Sequence, residues 1–167
     1  MAISEALAAE LKAEAATTRK LLERVPENQF AWKPHEKSMT LGRLAGHVAE
    51  LTKLFAMVLT QDELDFGSGT HQPFAPQSTD DLVTTFDKNV AEALDLLGGQ
   101  ADEAYFKTWR MRNGEKVFFE LPRLAALRSI GLNHFIHHRG QLSVYLRLLD
   151  VPLPSIYGPS ADDSAGF

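Results

Sequence analysis

Two histidines four residues apart are the part of this sequence best suited to chemistry. His134 and His138 lie in the run Asn-His-Phe-Ile-His-His-Arg-Gly-Gln, inside a long segment of helical pattern. Four residues make about one turn of an α-helix, so both imidazoles leave the helix on the same face. Leu124, Leu127 and Leu148 continue that face, which predicts that it points into the core.

A third histidine has an equivalent position on another helical segment, because His47 shares a face with Leu44 and Leu51. Three converging neutral imidazoles are a standard ligand set for Zn, Ni or Fe. Coordination would offset the cost of burying each unpaired polar group, about 1–3 kcal/mol. We therefore predict one divalent metal ion held by His47, His134 and His138. The alternative is that each histidine bonds to a backbone carbonyl or a core hydroxyl.

Two familiar metal motifs are absent. A helical zinc peptidase needs His-Glu-x-x-His, but position 135 is Phe. Di-iron bundles need Glu-x-x-His, and no histidine here has Glu three residues before it. The chain also has no cysteine, which excludes thiolate ligands and disulfides. A mononuclear site with open coordination positions remains.

Five further polar residues lie near the three histidines in the helical pattern. Residues in such positions orient metal ligands through hydrogen bonds or bind substrate. Among them, the carboxylate one turn beyond His47 has a second interpretation, as an exposed helix-surface group. The five candidates are Glu50, His137, Arg139, Gln141 and Tyr145.

Charge is unevenly distributed along the chain. The net charge is −5, which argues against a nucleic-acid partner bound through its phosphates. Residues 122–149 nevertheless contain four arginines, including Arg139, and no acidic residue. Such a cationic strip predicts a small-molecule, anionic substrate. The alternative is a solvated face whose arginines pair with acids on other helices.

Helical periodicity occurs in four segments, residues 4–24, 40–59, 79–98 and 122–149. Thr40 is the expected N-cap of the second segment, and Thr79 opens the third. The Asn113-Gly114 pair between aromatic runs predicts a hairpin, whereas residues 61–78 are expected to form a loop. We predict one all-α domain over residues 1–167, a four-helix bundle with a small two-stranded ribbon before the last helix. The long loop permits, but does not require, up-down-down-up topology.

No basic n-region and no apolar run of about 20 residues is present, so we expect a cytoplasmic protein without membrane contact.

His35 and His71 are expected in surface loops. Three ribbon aromatics are interpreted as covering the bundle or meeting a second subunit. These residues are Trp109, Phe118 and Phe119.

Two blocks of the sequence resemble the DinB/YfiT-like superfamily. The first is Gly46-His-Val-Ala-Glu-Leu, and the second is Asn133-His-Phe-Ile-His-His-Arg-Gly-Gln-Leu with a later Tyr157-Gly-Pro-Ser tail. The resemblance implies an up-down-down-up four-helix bundle, often a homodimer, with one divalent metal on His47, His134 and His138. Some members are metal-dependent transferases or isomerases that use low-molecular-weight thiols such as bacillithiol, mycothiol or glutathione.

Three functions are compatible with these residues. The first is a metal-dependent transferase of the low-molecular-weight-thiol type, in which the metal holds the thiol as the nucleophilic thiolate. The second is a hydrolase that uses a metal-bound water, with Glu50 or His137 as the only candidate bases. The third is a non-enzymatic, stress-related metal-binding protein.

Overall fold

The computed structural model describes residues 2–69 and 72–164. It contains four long helical segments, the arms, each made of one or more consecutive helices. The first and third arms are single helices, whereas the second is interrupted at Thr52 and the last contains a π-helical segment. The helices are α1 (Ile3–Leu22), α2 (Leu41–Leu51), α3 (Lys53–Thr60), α4 (Thr79–Gly98), α5 (Arg123–Ala126) and α6 (His134–Leu148), and the π-helical segment is Leu127–Asn133.

A three-stranded mixed sheet accompanies the helices. Its strands are β1 (Glu63–Asp65), β2 (Thr108–Asn113) and β3 (Lys116–Pro122), in the order β1-β2-β3. β2 and β3 form the antiparallel hairpin expected around Asn113-Gly114, but β1 adds a parallel strand beside β2. The prediction of an all-α fold with a two-stranded ribbon before the last helix is therefore wrong. The third strand comes from the connection that was expected to be a loop.

Side-chain contacts hold β1 in place. Arg112 Nη2 donates to Glu63 Oε1 at 2.7 Å and lies 3.1 Å from Asp65 Oδ2. Asp65 Oδ1 also accepts a hydrogen bond from the backbone N–H of Gly114 at 2.9 Å. Leu64, between the two acids, is buried in the core. A strand of three residues held by such remote partners has no periodic signal of its own.

The core has two connected parts, and their composition gives the helix directions. One part joins the C-terminal half of α1, α2, the first half of α4 and α6. The other joins the start of α1, the end of α3, the end of α4, and α5 with the π-helical segment. α1 and the last arm therefore run in one direction, and the two central arms run in the other.

Capping explains where two of the arms begin. The Thr40 side chain accepts a hydrogen bond from the Arg43 N–H at 3.2 Å, which confirms the predicted N-cap of α2. α4 begins at Thr79, as predicted, but its cap is Ser78, whose hydroxyl accepts from the Asp81 N–H at 3.0 Å.

The ribbon aromatics divide between core and surface. Trp109 is fully buried, and Phe119 packs against the same part of the core. Phe118 is 47% exposed on β3. Trp109 and Phe119 therefore cover the bundle, and of these three residues only Phe118 presents an open aromatic face.

Within residues 2–69 and 72–164, none of the helices has the length and apolar run needed to cross a bilayer.

The last arm is not the uniform helix predicted over residues 122–149. Pro122 is the last residue of β3 and the N-cap of α5, which begins at Arg123, and the segment Leu127–Asn133 is π-helical. Within it, an ideal Cβ on Gly131 would lie 3.0 Å from Cε2 of Phe55, a ring with no exposed surface. Gly131 therefore lets the last arm approach α3 closely, directly before His134.

Replacing Gly131 by Ala is expected to lower the free energy of unfolding by about 1–3 kcal/mol, because the added methyl meets the enclosed Phe55 ring. Gly140→Ala on α6 is the matched control, since nothing lies within 4 Å of its ideal Cβ. That control should be neutral or stabilising by up to about 1 kcal/mol. Urea denaturation of both variants measures the difference, and equal effects would contradict the packing argument.

Candidate metal centre

The structure brings together the three histidines that the sequence singles out. α2 supplies His47, and the first turns of α6 supply His134 and His138. One ring nitrogen from each lies within 4.8 Å of the other two. The ring centroids are 4.6 Å apart for His47–His138 and 5.2 Å apart for His47–His134. All three side chains are partly buried.

Hydrogen bonds on the far side of each ring fix its tautomer. His47 Nδ1 lies 3.0 Å from Glu50 Oε1, and His138 Nδ1 lies 2.7 Å from Gln141 Oε1. A carboxylate oxygen and an amide oxygen accept hydrogen bonds, so each Nδ1 donates. A neutral imidazole has only one N–H, so both Nε2 atoms present lone pairs.

His134 completes the cluster. Its Nε2 lies 2.9 Å from Nε2 of His138. Because the His138 Nε2 presents a lone pair, this distance needs a proton or a cation between the two nitrogens. Ligand nitrogens about 2.0–2.1 Å from one ion and at right angles would be roughly 2.9 Å apart. A third imidazole beside this pair makes the donor set fit a divalent ion.

Burial favours the neutral form of His134 and His138. It lowers the pKa of His134, and it lowers the pKa of His138 to about 4, with the nearby His47 ring acting in the same direction on both. Metals bind the neutral imidazole, so a proton competes weakly for these two ligands at neutral pH.

Glu50 lies behind His47 rather than on an exposed surface. Its side chain is 14% exposed, and it also accepts from the Phe74 N–H at 2.7 Å and from Arg43 Nη1 at 3.1 Å. Burial raises the pKa of Glu50, but the hydrogen bonds from His47 and Phe74 outweigh it, and the net pKa is lowered. Glu50 is therefore a charged acceptor that orients His47, and its interpretation as an exposed carboxylate is wrong.

Gly46 makes this arrangement sterically possible. An ideal Cβ on Gly46 would lie 2.9 Å from the Phe74 carbonyl oxygen and from Cδ of Pro76. The connection before α4 makes the close approach that this glycine allows. That crossing brings the Phe74 N–H to Glu50.

The other predicted site residues divide into near and distant ones. Gln141 contacts His138 as described, and the exposed His137 ring lies 4.8 Å from the His138 ring. Tyr145 does not contact the histidines through its hydroxyl, which donates to the Met39 carbonyl at 3.3 Å.

Arg139 is separated from the histidines by the helix that carries it. It is 1% exposed and pairs with Glu14 of α1 at 2.5 Å. Its guanidinium also lies 5.0 Å from the ring centroid of Tyr157 in the C-terminal tail. The structure therefore gives Arg139 a role in joining α6 to α1 and the tail, and it does not place this residue where a substrate could reach it.

The remaining arginines of the last arm are also paired, so the strip is not a free cationic surface. Each pairs with an acidic residue from another segment, as the alternative interpretation expected, although only Glu10 lies on another helix. The pairs are Arg123–Asp62, Arg128–Glu10 and Arg147–Asp162.

A cleft of about 530 Å³ opens beside the histidines. His47, Glu50 and His134 lie on its wall, and the rest is formed by α2, α3, the sheet, the π-helical segment and the connection after α3. Lys53 is the one lysine or arginine that lines it among the described residues. A smaller depression of about 300 Å³ lies between α1 and α4, and no histidine lines it.

Of the two remaining histidines, only His35 has a described position, which is remote from the centre. His35 is exposed and accepts a hydrogen bond from the Lys37 N–H at 3.1 Å. His71 lies outside the described residues.

The fold and the family agree. Residues 1–166 match the DinB family, so the chain belongs to that family. Its structure resembles the crystal structures of DinB-like proteins from Bacillus cereus (TM-score 0.68, 21% identity, covering 92% of this chain and 97% of that one) and Bacillus subtilis YjoA (0.66, 20%, 86% and 91%). At these identities the likeness shows the fold alone.

Two relatives from Bacillus subtilis strain 168 are similar in sequence as well. YrdA is 25% identical over 158 residues, covering 92% of this chain and 87% of its own. YjoA is 29% identical over 137 residues, covering 78% and 80%. Both bear the name uncharacterized protein, so neither brings an activity to this chain.

Acid is expected to destabilise the metal-free protein between about pH 6.5 and pH 5. The pKa values of His134 and His138 are lowered in the folded state, so the unfolded chain binds more protons in this range. The free energy of unfolding therefore decreases as the pH is lowered. Thermal unfolding in EDTA measures this dependence.

His138→Gln should reduce the same pH dependence, because one of the two shifted groups is removed. The range lies above that in which Glu50, with its lowered pKa, gains a proton. Identical pH dependence in the variant and the parent protein would contradict the assignment.

Proposed function

We propose that this DinB-family protein binds one divalent metal ion through Nε2 of His47, His134 and His138. The observation that carries the proposal is the convergence of three ring nitrogens, with Nδ1 of His47 and Nδ1 of His138 already bonded to Glu50 and Gln141. Zn, Ni and Fe all accept three imidazoles. The ion would lower the pKa of a thiol or a water molecule in its remaining position.

We further propose that the protein is a metal-dependent transferase that uses a low-molecular-weight thiol. The sequence resemblance to thiol-using members of the superfamily supports this choice. The cleft beside His47 and His134 offers space for a second reactant. Any anionic group on a reactant in this cleft would meet Lys53, because the arginines of the last arm are already paired.

The geometry favours transferase over hydrolase chemistry. A hydrolase needs a free base beside the metal, and the Glu50 carboxylate already accepts three hydrogen bonds. His137 is exposed and contacts the edge of His138, and it does not line the cleft. A non-enzymatic metal-binding role, a homodimer and a cytoplasmic location stay predictions.

Metal analysis tests the binding site. Protein purified without a histidine tag is expected to hold about one divalent ion per chain by elemental analysis, and His134→Ala should lose more than half of it. Glu50→Gln should retain the ion at saturation but bind it roughly 10–100-fold more weakly, because the partner of His47 Nδ1 loses its charge.

The matched control is His35→Ala, which removes an exposed histidine remote from the cluster. It should leave metal content unchanged. Full metal content in His134→Ala, or equal losses in His134→Ala and His35→Ala, would refute the site.

A thermal-shift screen tests the reaction class. Glutathione, bacillithiol and mycothiol are compared with their S-methyl derivatives, in metal-loaded and EDTA-treated protein. The expected result is a rise in Tm with one free thiol that disappears when the thiol is blocked or the metal is removed. No shift with any thiol, together with metal-dependent cleavage of an ester or amide, would replace the transferase proposal with hydrolysis.

A further inference from the structure

We infer that the cleft beside the histidines selects a reactant with an extended apolar body. The inference rests on the proposed function for the position of the reactive end, at His47 and His134, and adds the chemical class of what lies beyond it. The body would lie between α3 and the sheet, where the cleft wall changes from polar to apolar.

The composition of the wall is the first reason. Most of the residues that line the cleft are apolar, although it is open to solvent. They come from helices, strands and the connection after α3, so no single element accounts for them. These residues are Leu51, Leu54, Met57, Leu64, Phe66, Met111 and Ile130.

Their arrangement is the second reason. Leu64 and Met111 are register partners on the adjacent strands β1 and β2, so their side chains share one face of the sheet. Leu54 and Met57 are three residues apart on α3, so they share one face of that helix. The cleft thus has an apolar surface on two opposing elements, and its methionines adapt to varied shapes.

The volume and the polar groups define the ligand further. A cleft of about 530 Å³ lies in the usual range for small-molecule sites, about 300–1,000 Å³. The polar side chains that line it are His47, His134 and Glu50 at the histidine end, together with Lys53, Gln61 and Gln72. A compact, fully charged metabolite would leave the apolar wall wet, whereas a chain or ring of carbon atoms would cover it.

A homologous series of metal-binding probes tests this inference. Hydroxamates from acetohydroxamate to octanohydroxamate share one metal-directed head group and differ only in apolar length. Isothermal titration into Zn²⁺-loaded protein should show affinity rising up to about fourfold with each added methylene that enters the cleft. A series without length dependence would overturn the inference.

Substitutions in the cleft wall test which residues cause the dependence of affinity on chain length. Met57→Gln and Met111→Gln replace apolar wall residues, so they should flatten the length dependence while leaving acetohydroxamate affinity unchanged. Retained acetohydroxamate binding also shows that each variant is folded. Val117→Gln is the control, since Val117 is exposed on the same sheet and does not line the cleft. Equal flattening by Val117→Gln would contradict the assignment.

A second series separates this inference from the metal proposal. Alkanamides of the same lengths have no metal-directed head group, and thermal shift in EDTA-treated protein should still increase with their length. If acetohydroxamate fails to bind while the alkanamides show this trend, the metal site is wrong and the apolar cleft stands. If acetohydroxamate binds but neither series depends on length, the metal site stands and the apolar selectivity is refuted.

Discussion

Three imidazoles face one another in the bundle, and the hydrogen bonds on their far sides determine which ring nitrogens can bind a metal ion. A neutral imidazole has one N–H, so the nitrogen that carries it determines which nitrogen is a ligand. Glu50 and Gln141 take up the outer N–H of His47 and of His138. The inner nitrogens of these two rings are then acceptors, and the inner nitrogen of His134 lies 2.9 Å from that of His138. Such a group is costly in a protein interior unless a positive charge joins it.

This constraint extends well beyond the ligands. Glu50 contacts the Phe74 N–H, so the orientation of His47 depends on a connection more than twenty residues away. Gly46 leaves room for that connection to cross α2. On the opposite side, the buried Arg139–Glu14 pair joins α6 to α1. The cluster is thus held by packing from both sides, while its own helices contribute the spacing of the rings and the hydrogen-bond acceptors Glu50 and Gln141.

Local features of this protein could be predicted from its sequence, and features that depend on remote partners could not. The spacing of His134 and His138, the Thr40 cap and the Asn113-Gly114 turn each involve neighbours within about one turn of chain. β1 depends instead on Arg112 and Gly114, almost fifty residues away, so it was taken for a loop.

The π-helical segment was missed, and pairing of the arginines was only the alternative interpretation, for the same physical reason. The close approach at Gly131 is defined by Phe55 on another arm. The arginines of the last arm look like a cationic surface in the sequence because their acidic partners lie on other segments. Glu50 was only a candidate because its contact with Phe74 has no counterpart in the helical pattern.

The parallel strand β1 has a consequence for how the family can diversify. The three imidazole rings belong to helices, whereas Leu64, Phe66 and Met111 reach the cleft from the sheet and the chain beside it. Substitutions in this second group can change the shape of the cleft without moving the helices that carry the histidines. The histidine cluster and this part of the cleft wall therefore lie in separate parts of the chain, so each can change in sequence independently of the other.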